Sequence, residues 1–195
     1  MDVLKNKVIL ITGAGKGIGR RLAEELAAQG AIIAANDISP INVEEVVEGI
    51  RAKGGQAQAF IEDVAKKVGA QMLIKDVEDQ FGTVDILVNH AAVEPKTSLL
   101  DMDEWDWHRT IDVNLTGAFL MAQSAGRVMR TKGSGVIVNL IAGSAESQKE
   151  AGAYLAGKAG LAELSRQLAR ELNPHGIRVI TASTFEEALK ALEEA

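Results

Sequence analysis

No cysteine occurs in the 195 residues, so disulfide staples, thiolate catalysis and cysteine-based metal sites are all excluded. The only three histidines, His90, His108 and His175, are scattered without ligand spacing, and no metal is expected. Basic runs are missing too. The net charge is −6, and no arginine-rich stripe is present to follow a phosphate backbone, so nucleic acid is not expected as a partner. No apolar run approaches the roughly 20 residues of a membrane-spanning helix, so no membrane association is expected. The first residues, MDVLKNKVILITG, enter an apolar strand almost at once and leave no room for a signal peptide, so a cytoplasmic protein is expected. Prolines number three, aromatic residues make up 4%, and tyrosine occurs once. Against these absences stand 19 glycines and a hydrophobic content of 47%, enough for a real core with helices packed closely on a sheet.

Short β-branched runs alternate with longer helical patterns. Strands are expected over Val8–Thr12, Ala31–Asn36, Ala57–Ile61, Asp85–Asn89, Gly135–Ile141 and Ile177–Thr181. Helices are expected over Gly19–Gln29, Val43–Lys53, Ala65–Phe81, Ile111–Arg130, Gly152–Leu172 and Phe185–Glu194. On the third helix, Val68, Met72, Ile74, Val77 and Phe81 are the candidate core contacts. Such alternation predicts right-handed βαβ units in one α/β domain spanning residues 1–195. The expected architecture is a doubly wound Rossmann fold. It has a parallel sheet of about six strands, order 3-2-1-4-5-6, with helices on both faces. A ligand would bind beyond the carboxyl ends of the strands, near the point where the strand order reverses.

Directly after the first strand comes Thr12-Gly13-Ala14-Gly15-Lys16-Gly17-Ile18-Gly19, opening into a helix. Glycines allow a tight turn and close backbone approach to a pyrophosphate, and the helix N-terminus supplies unpaired N–H groups. Gly13, Gly15, Lys16, Gly17, Ile18 and Gly19 are therefore candidate cofactor-binding residues, although a plain strand-to-helix turn has the same outline. Asp37 ends the second strand, where a carboxylate can accept from an adenosine ribose and repel a 2′-phosphate, or can simply cap a turn.

Tyr154 and Lys158 lie four residues apart, on one helical face. Free tyrosine, with a pKa near 10, is a poor proton exchanger at neutral pH, and a neighbouring ammonium should lower it. The pair suits proton exchange with a hydroxyl or carbonyl while a nicotinamide moves hydride.

The Gly-x-x-x-Gly-x-Gly spacing together with Tyr154-Leu155-Ala156-Gly157-Lys158 resembles the short-chain dehydrogenase/reductase family, over about residues 7–181, with the 3-oxoacyl-carrier-protein reductase branch nearest. The resemblance implies a nicotinamide cofactor, NAD by Asp37, with NADP as the alternative because relatives that use it often carry a basic residue where Lys16 stands. It implies an adenine contact at Asp63-Val64, cofactor contacts at Ala91, Tyr154 and Lys158, the last holding the ribose, and a cofactor contact or strand-end role for Asn89. Asn89-His90-Ala91-Ala92 stands where the family pattern is Asn-Asn-Ala-Gly, so His90 and Ala92 depart from it. The catalytic set carried over is Tyr154, Lys158 and Asn114, the last anchoring a water in a proton relay or bonding backbone as a buried helical asparagine. The substrate would be a small secondary alcohol or ketone.

Two further departures weaken the expected catalyst. The family's substrate-holding serine, thirteen residues before the tyrosine, is Ile141 here, and Ser144 and Ser147 are the nearest hydroxyls. After the sixth strand, Thr181-Ala182-Ser183 runs directly into a closing helix capped by Ser183 or Thr184, without the family's Pro-Gly turn and substrate-covering segment. The sequence therefore reads as a shortened or engineered relative, weak or impaired as an enzyme. The alternative is a truncated or designed scaffold that binds nucleotide without catalysis, or binds nothing. Trp105 and Trp107 are expected in packing or in an interface. Ala118, Ala122, Ala125, Ala159, Ala162 and Ala169 on the two long helices imply, by the same resemblance, a homodimer.

Overall fold

The computed structural model describes residues 3–141 and 149–194. Six strands form one parallel sheet: β1 (Val8–Thr12), β2 (Ile32–Asn36), β3 (Gln56–Phe60), β4 (Ile86–Asn89), β5 (Gly135–Leu140) and β6 (Ile177–Ala182). Their order, β3-β2-β1-β4-β5-β6, is the doubly wound order expected. β1 is buried on both faces, which is why VILIT is apolar without alternation. Ile9 and Ile11 pack on one side with α1 (Gly17–Ala28), α2 (Pro40–Ala52) and α7 (Phe185–Glu193), through Leu22, Leu26, Val46 and Leu192. Val8 and Leu10 pack on the other with α3 (Lys67–Phe81) and α5 (Ala118–Lys132), through Leu73, Val77, Met121 and Met129. Leu168 and Leu172 of α6 (Gly152–Leu172) close that layer.

Most element boundaries fall within a few residues of expectation; one does not. The single helix expected over Ile111–Arg130 starts earlier, as α4 (Glu104–Ile111), because the Asp103 carboxylate caps it by accepting from Asp106 N–H at 2.7 Å. It then widens into a π-helical turn, Asp112–Gly117, before α5. Such one-turn widenings sit at functional sites more often than elsewhere, and this one contains Asn114.

Some packing expectations are corrected and others hold. Val68 and Met72 are exposed, whereas Ile74 and Val77 are buried as expected, Phe81 packs at the edge of the core, and Ala70 and Leu73 complete the buried stripe of α3. Trp105 and Trp107 are not in the protomer's core, at 66% and 39% exposure, which leaves the interface role of the two expected, and the Arg109 guanidinium lies 5.5 Å from the centre of the Trp105 ring. Ala122 and Ala125 pack into the core and Ala118 is buried beside them, so these three face inward, whereas Ala159 is exposed and Ala162 and Ala169 are half-buried. The closing helix α7 is capped as expected. Thr184 Oγ1 accepts from Glu187 N–H at 3.1 Å, and Glu187 Oε2 reaches back to accept from the N–H of Ser183, the residue before the cap, at 2.7 Å. Among the described residues no helix is long and apolar enough to cross a membrane.

Candidate functional site

The strand order reverses between β1 and β4, and an open cleft of about 280 Å³ lies beyond the carboxyl ends of the strands there. Gly13, Lys16, Asp37, Asp63, Val64 and Ala91 all border it, so six of the residues picked from sequence converge on one wall or another. Gly17 and Ile18 start α1, with Ile18 packed against the core behind the turn. Two glycines show why the turn needs them. At Gly17, φ is +59° and a side chain would project into open space, leaving the backbone accessible. At Gly19 a Cβ would stand 2.6 Å from His90 Nδ1 and closer still to the Gly13 carbonyl, so only glycine lets α1 start this near the strand ends.

Asp37 is 9% exposed. Its Oδ2 accepts from Gly15 N–H at 3.0 Å and its Oδ1 from Ser39 N–H at 2.9 Å. The carboxylate thus has the turn-fixing role of the two that the sequence left open, and it borders the cleft. Asp63 Oδ1 accepts from Ala65 N–H at 3.0 Å, a turn bond that holds Val64 inward at 6% exposure. The Asn36 side chain donates to Phe60 O and Glu62 O, tying the β2 end to the β3 end beneath the cleft.

Asn89, Asn114 and Lys158 line a narrow void adjoining the cleft. Asn89 Nδ2 donates to Asn139 Oδ1 at 2.8 Å, and Asn139 Nδ2 donates to Ser165 Oγ at 2.8 Å, a buried polar bridge from β4 through β5 to α6. Asn89 therefore serves the strand end. Asn114 accepts from Val93 N–H at 2.9 Å and donates to Val93 O at 2.8 Å, clamping the loop after β4. Lys158 is 5% exposed and donates to Leu140 O at 2.8 Å, and burial pulls its ammonium pKa down to about 8. It lies 5.6 Å from the centre of the Tyr154 ring.

The expected lowering of the tyrosine is not found. Burial, with a smaller push from the Glu94 carboxylate, raises the Tyr154 phenol above its usual value. Ile141 has an apolar side chain, and its N–H donates to Ala182 O at 2.9 Å. Ser144 and Ser147 lie outside the described residues.

Sequence reasoning passed over two anchors. Thr12 Oγ1 accepts from both His90 N–H and Ala91 N–H, each at 3.1 Å. His90 Nδ1 lies 3.0 Å from Gly13 O. A hydroxyl at the end of β1 and a polar residue at the end of β4, the pair flanking the switch point, were the available signals. Asn139 and Ser165 were missed as well, since their pairing with Asn89 spans three elements.

A doubly wound sheet with a glycine turn at its switch point and a Tyr–Lys pair on the helix after β5 defines the class of dinucleotide-dependent oxidoreductases. The short chain dehydrogenase family model matches residues 7–184, and the chain belongs to that family. It is similar to the 3-oxoacyl-(acyl-carrier-protein) reductase of Staphylococcus epidermidis, 42% identical over 177 residues that cover 89% of this chain and 72% of the relative. The structure of an NAD+-bound xylitol dehydrogenase superposes with a TM-score of 0.85 at 31% identity, covering 91% of this chain and 69% of that one. A metagenomic short-chain oxidoreductase in complex with NADP superposes at 0.90 with 26% identity, covering 98% and 90%.

Proposed function

We propose that this chain binds a nicotinamide dinucleotide in the cleft, prefers NAD to NADP, and moves hydride weakly between it and a small secondary alcohol or ketone. The observation that carries this reading is the convergence of the glycine turn, Asp37 and Asp63 on one cleft, with Asn114 and Lys158 lining the void beside it. The preference rests on Asp37. A 2′-phosphate would meet a fixed, buried carboxylate followed by Ile38, which is apolar and 59% exposed. Lys16 and Arg109 also border the cleft and favour phosphate, but Lys16 is solvated, and charges act more strongly in the low-dielectric wall where Asp37 sits.

The bound dinucleotide supplies or accepts the hydride. Tyr154 would exchange a proton at its phenol oxygen with the substrate oxygen. Lys158, with a pKa near 8, is mostly protonated at neutral pH and supplies positive charge beside the Tyr154 ring. Asn114 fixes the Val93 loop over the site. Ile141 offers no donor to the substrate oxygen, and a missing donor of this kind costs roughly 10²–10³ in rate.

The second reading, nucleotide binding without turnover, is favoured by Ile141 and by the raised phenol of Tyr154. Calorimetric titration with NADH and NADPH, followed by a screen of alcohols and ketones with Tyr154→Phe as control, separates the two. Micromolar NADH binding with turnover lost in the variant supports the first reading. Binding with no turnover supports the second, and no binding overturns both. A homodimer is supported by the outward Phe119, Leu155 and Trp107, at 38%, 40% and 39% exposure on neighbouring helices. A sedimentation mass equal to one chain would refute it.

A further inference from the structure

We propose that His90 is a positioning residue that holds the glycine-rich turn in its anion-binding shape and makes dinucleotide affinity depend on pH. The proposal rests on the reading of the cleft as a dinucleotide site.

The Gly13 carbonyl oxygen can only accept. The His90 nitrogen 3.0 Å from it is therefore the donor, and the neutral ring carries its proton on Nδ1. A turn that receives an anion must present N–H groups and turn its carbonyls away. His90 ties one of those carbonyls back toward β4. The tie is rigid, because His90 N–H and Ala91 N–H both donate to Thr12 Oγ1, which fixes the end of β4 against the end of β1. The same ring nitrogen packs against Gly19 in the first turn of α1, and the residue borders the cleft.

Burial holds the ring neutral, below the ordinary histidine range. The charges facing it are mixed. Lys158 on α6 repels the imidazolium and Asp37 at the end of β2 attracts it, while Lys16, Glu62, Asp63 and Arg109 share the cleft. A pyrophosphate on the turn adds negative charge on this wall and favours the imidazolium. Binding then takes up a proton at Nε2, while the Nδ1 bond to Gly13 persists. The sign follows directly: a pKa higher in the complex than in the free protein makes affinity rise as pH falls through the bound value, levelling off below the free value. A rise of one pKa unit gives about tenfold tighter binding. Lys158 loses its proton near 8, so its titration shapes the upper end of the tested range, and the slope below about pH 7 is the one that reports His90.

The test is calorimetric titration of NAD+ between about pH 8 and pH 5.5 with wild type, His90→Asn and His90→Leu, each checked for folding by circular dichroism. The imidazole Cε1 resonance, assigned by its absence in His90→Asn, is followed with and without NAD+. The expected result has three parts. Wild-type affinity rises up to about tenfold toward acid and the resonance titrates at higher pH in the complex. His90→Leu, which has no donor, binds roughly threefold to tenfold more weakly at pH 7.5. His90→Asn, whose amide can donate to Gly13, restores most of that loss but not the pH dependence. NAD+ binding with the same pH slope in His90→Asn, or with undiminished affinity in His90→Leu, overturns the proposal while leaving the dinucleotide site intact. No NAD+ binding by the wild type overturns the dinucleotide reading and this proposal with it. If His90→Leu does not fold, the pH slope of His90→Asn decides alone.

Discussion

Replacing Lys158 with methionine should make the protein more stable and end its chemistry. The ammonium is 5% exposed, and burial lowers its pKa from 10.5 to about 8. By linkage that difference is roughly 3 kcal/mol charged against the folded state at neutral pH. Methionine removes this cost and fills similar space. It also leaves Leu140 O without its 2.8 Å donor, which gives back about 1–2 kcal/mol. The net gain is about 1–2 kcal/mol at pH 7, or a Tm rise of about 4 °C for a domain of this size. The pH dependence carries the sharper signature. The folded protein gives up the Lys158 proton more readily than the unfolded chain, so the unfolded state binds more protons between about pH 8 and 10.5. Wild-type stability should therefore rise with pH from 8 toward 10, and Lys158→Met should lack that rise. Urea denaturation of both proteins at about pH 7 and pH 9.5 reads both effects. A variant less stable than wild type at pH 7, with an unchanged difference at pH 9.5, would refute the reasoning.

Three other substitutions probe the rest of the site. Tyr154→Phe should lower turnover by at least about a hundredfold with NAD+ affinity unchanged, measured by steady-state kinetics beside calorimetry. Asp37→Ser should weaken NAD+ more than tenfold by loss of a charged acceptor and NADP+ less, narrowing or reversing the preference, since the carboxylate's repulsion of a 2′-phosphate is gone. Equal losses for both would show that Asp37 acts only on the turn through Gly15 and Ser39. Asn139→Ala should cost about 1–3 kcal/mol in urea denaturation, because it removes the 2.8 Å acceptor of the Asn89 amide, which keeps only Ala118 O at 3.4 Å, and the donor to the Ser165 hydroxyl, which keeps only its bond to Leu161 O. A cost below about 0.5 kcal/mol would mean that neither group depends on the bridge.

The order of elements was legible because each strand is a short apolar run bounded by turn residues, and a parallel sheet covered on both faces demands such runs. The glycine turn was legible because its residues are contiguous and its geometry is local. Tyr154 and Lys158 were legible as a pair because four residues make one helical turn. What depended on phase or on distant partners was not. Val68 and Met72 look like core residues, yet the face that packs on the sheet takes Ala70 and Leu73 beside the expected Ile74 and Val77. Ala122 and Ala125 look like part of an interface stripe, and the core claimed them.

By itself the sequence determined the strand–helix alternation, the turn at the β1 end and the acidic residue at the β2 end, since propensity, glycine spacing and periodicity act over a few residues. Only the tertiary structure decided what those side chains do. It brought Asp37 onto Gly15, Asn114 onto Val93 and His90 onto Gly13, contacts 22, 21 and 77 residues apart in the chain. It also set the proton affinities of Lys158 and Tyr154, because desolvation depends on how much protein closes around a group, and no run of neighbouring residues encodes that.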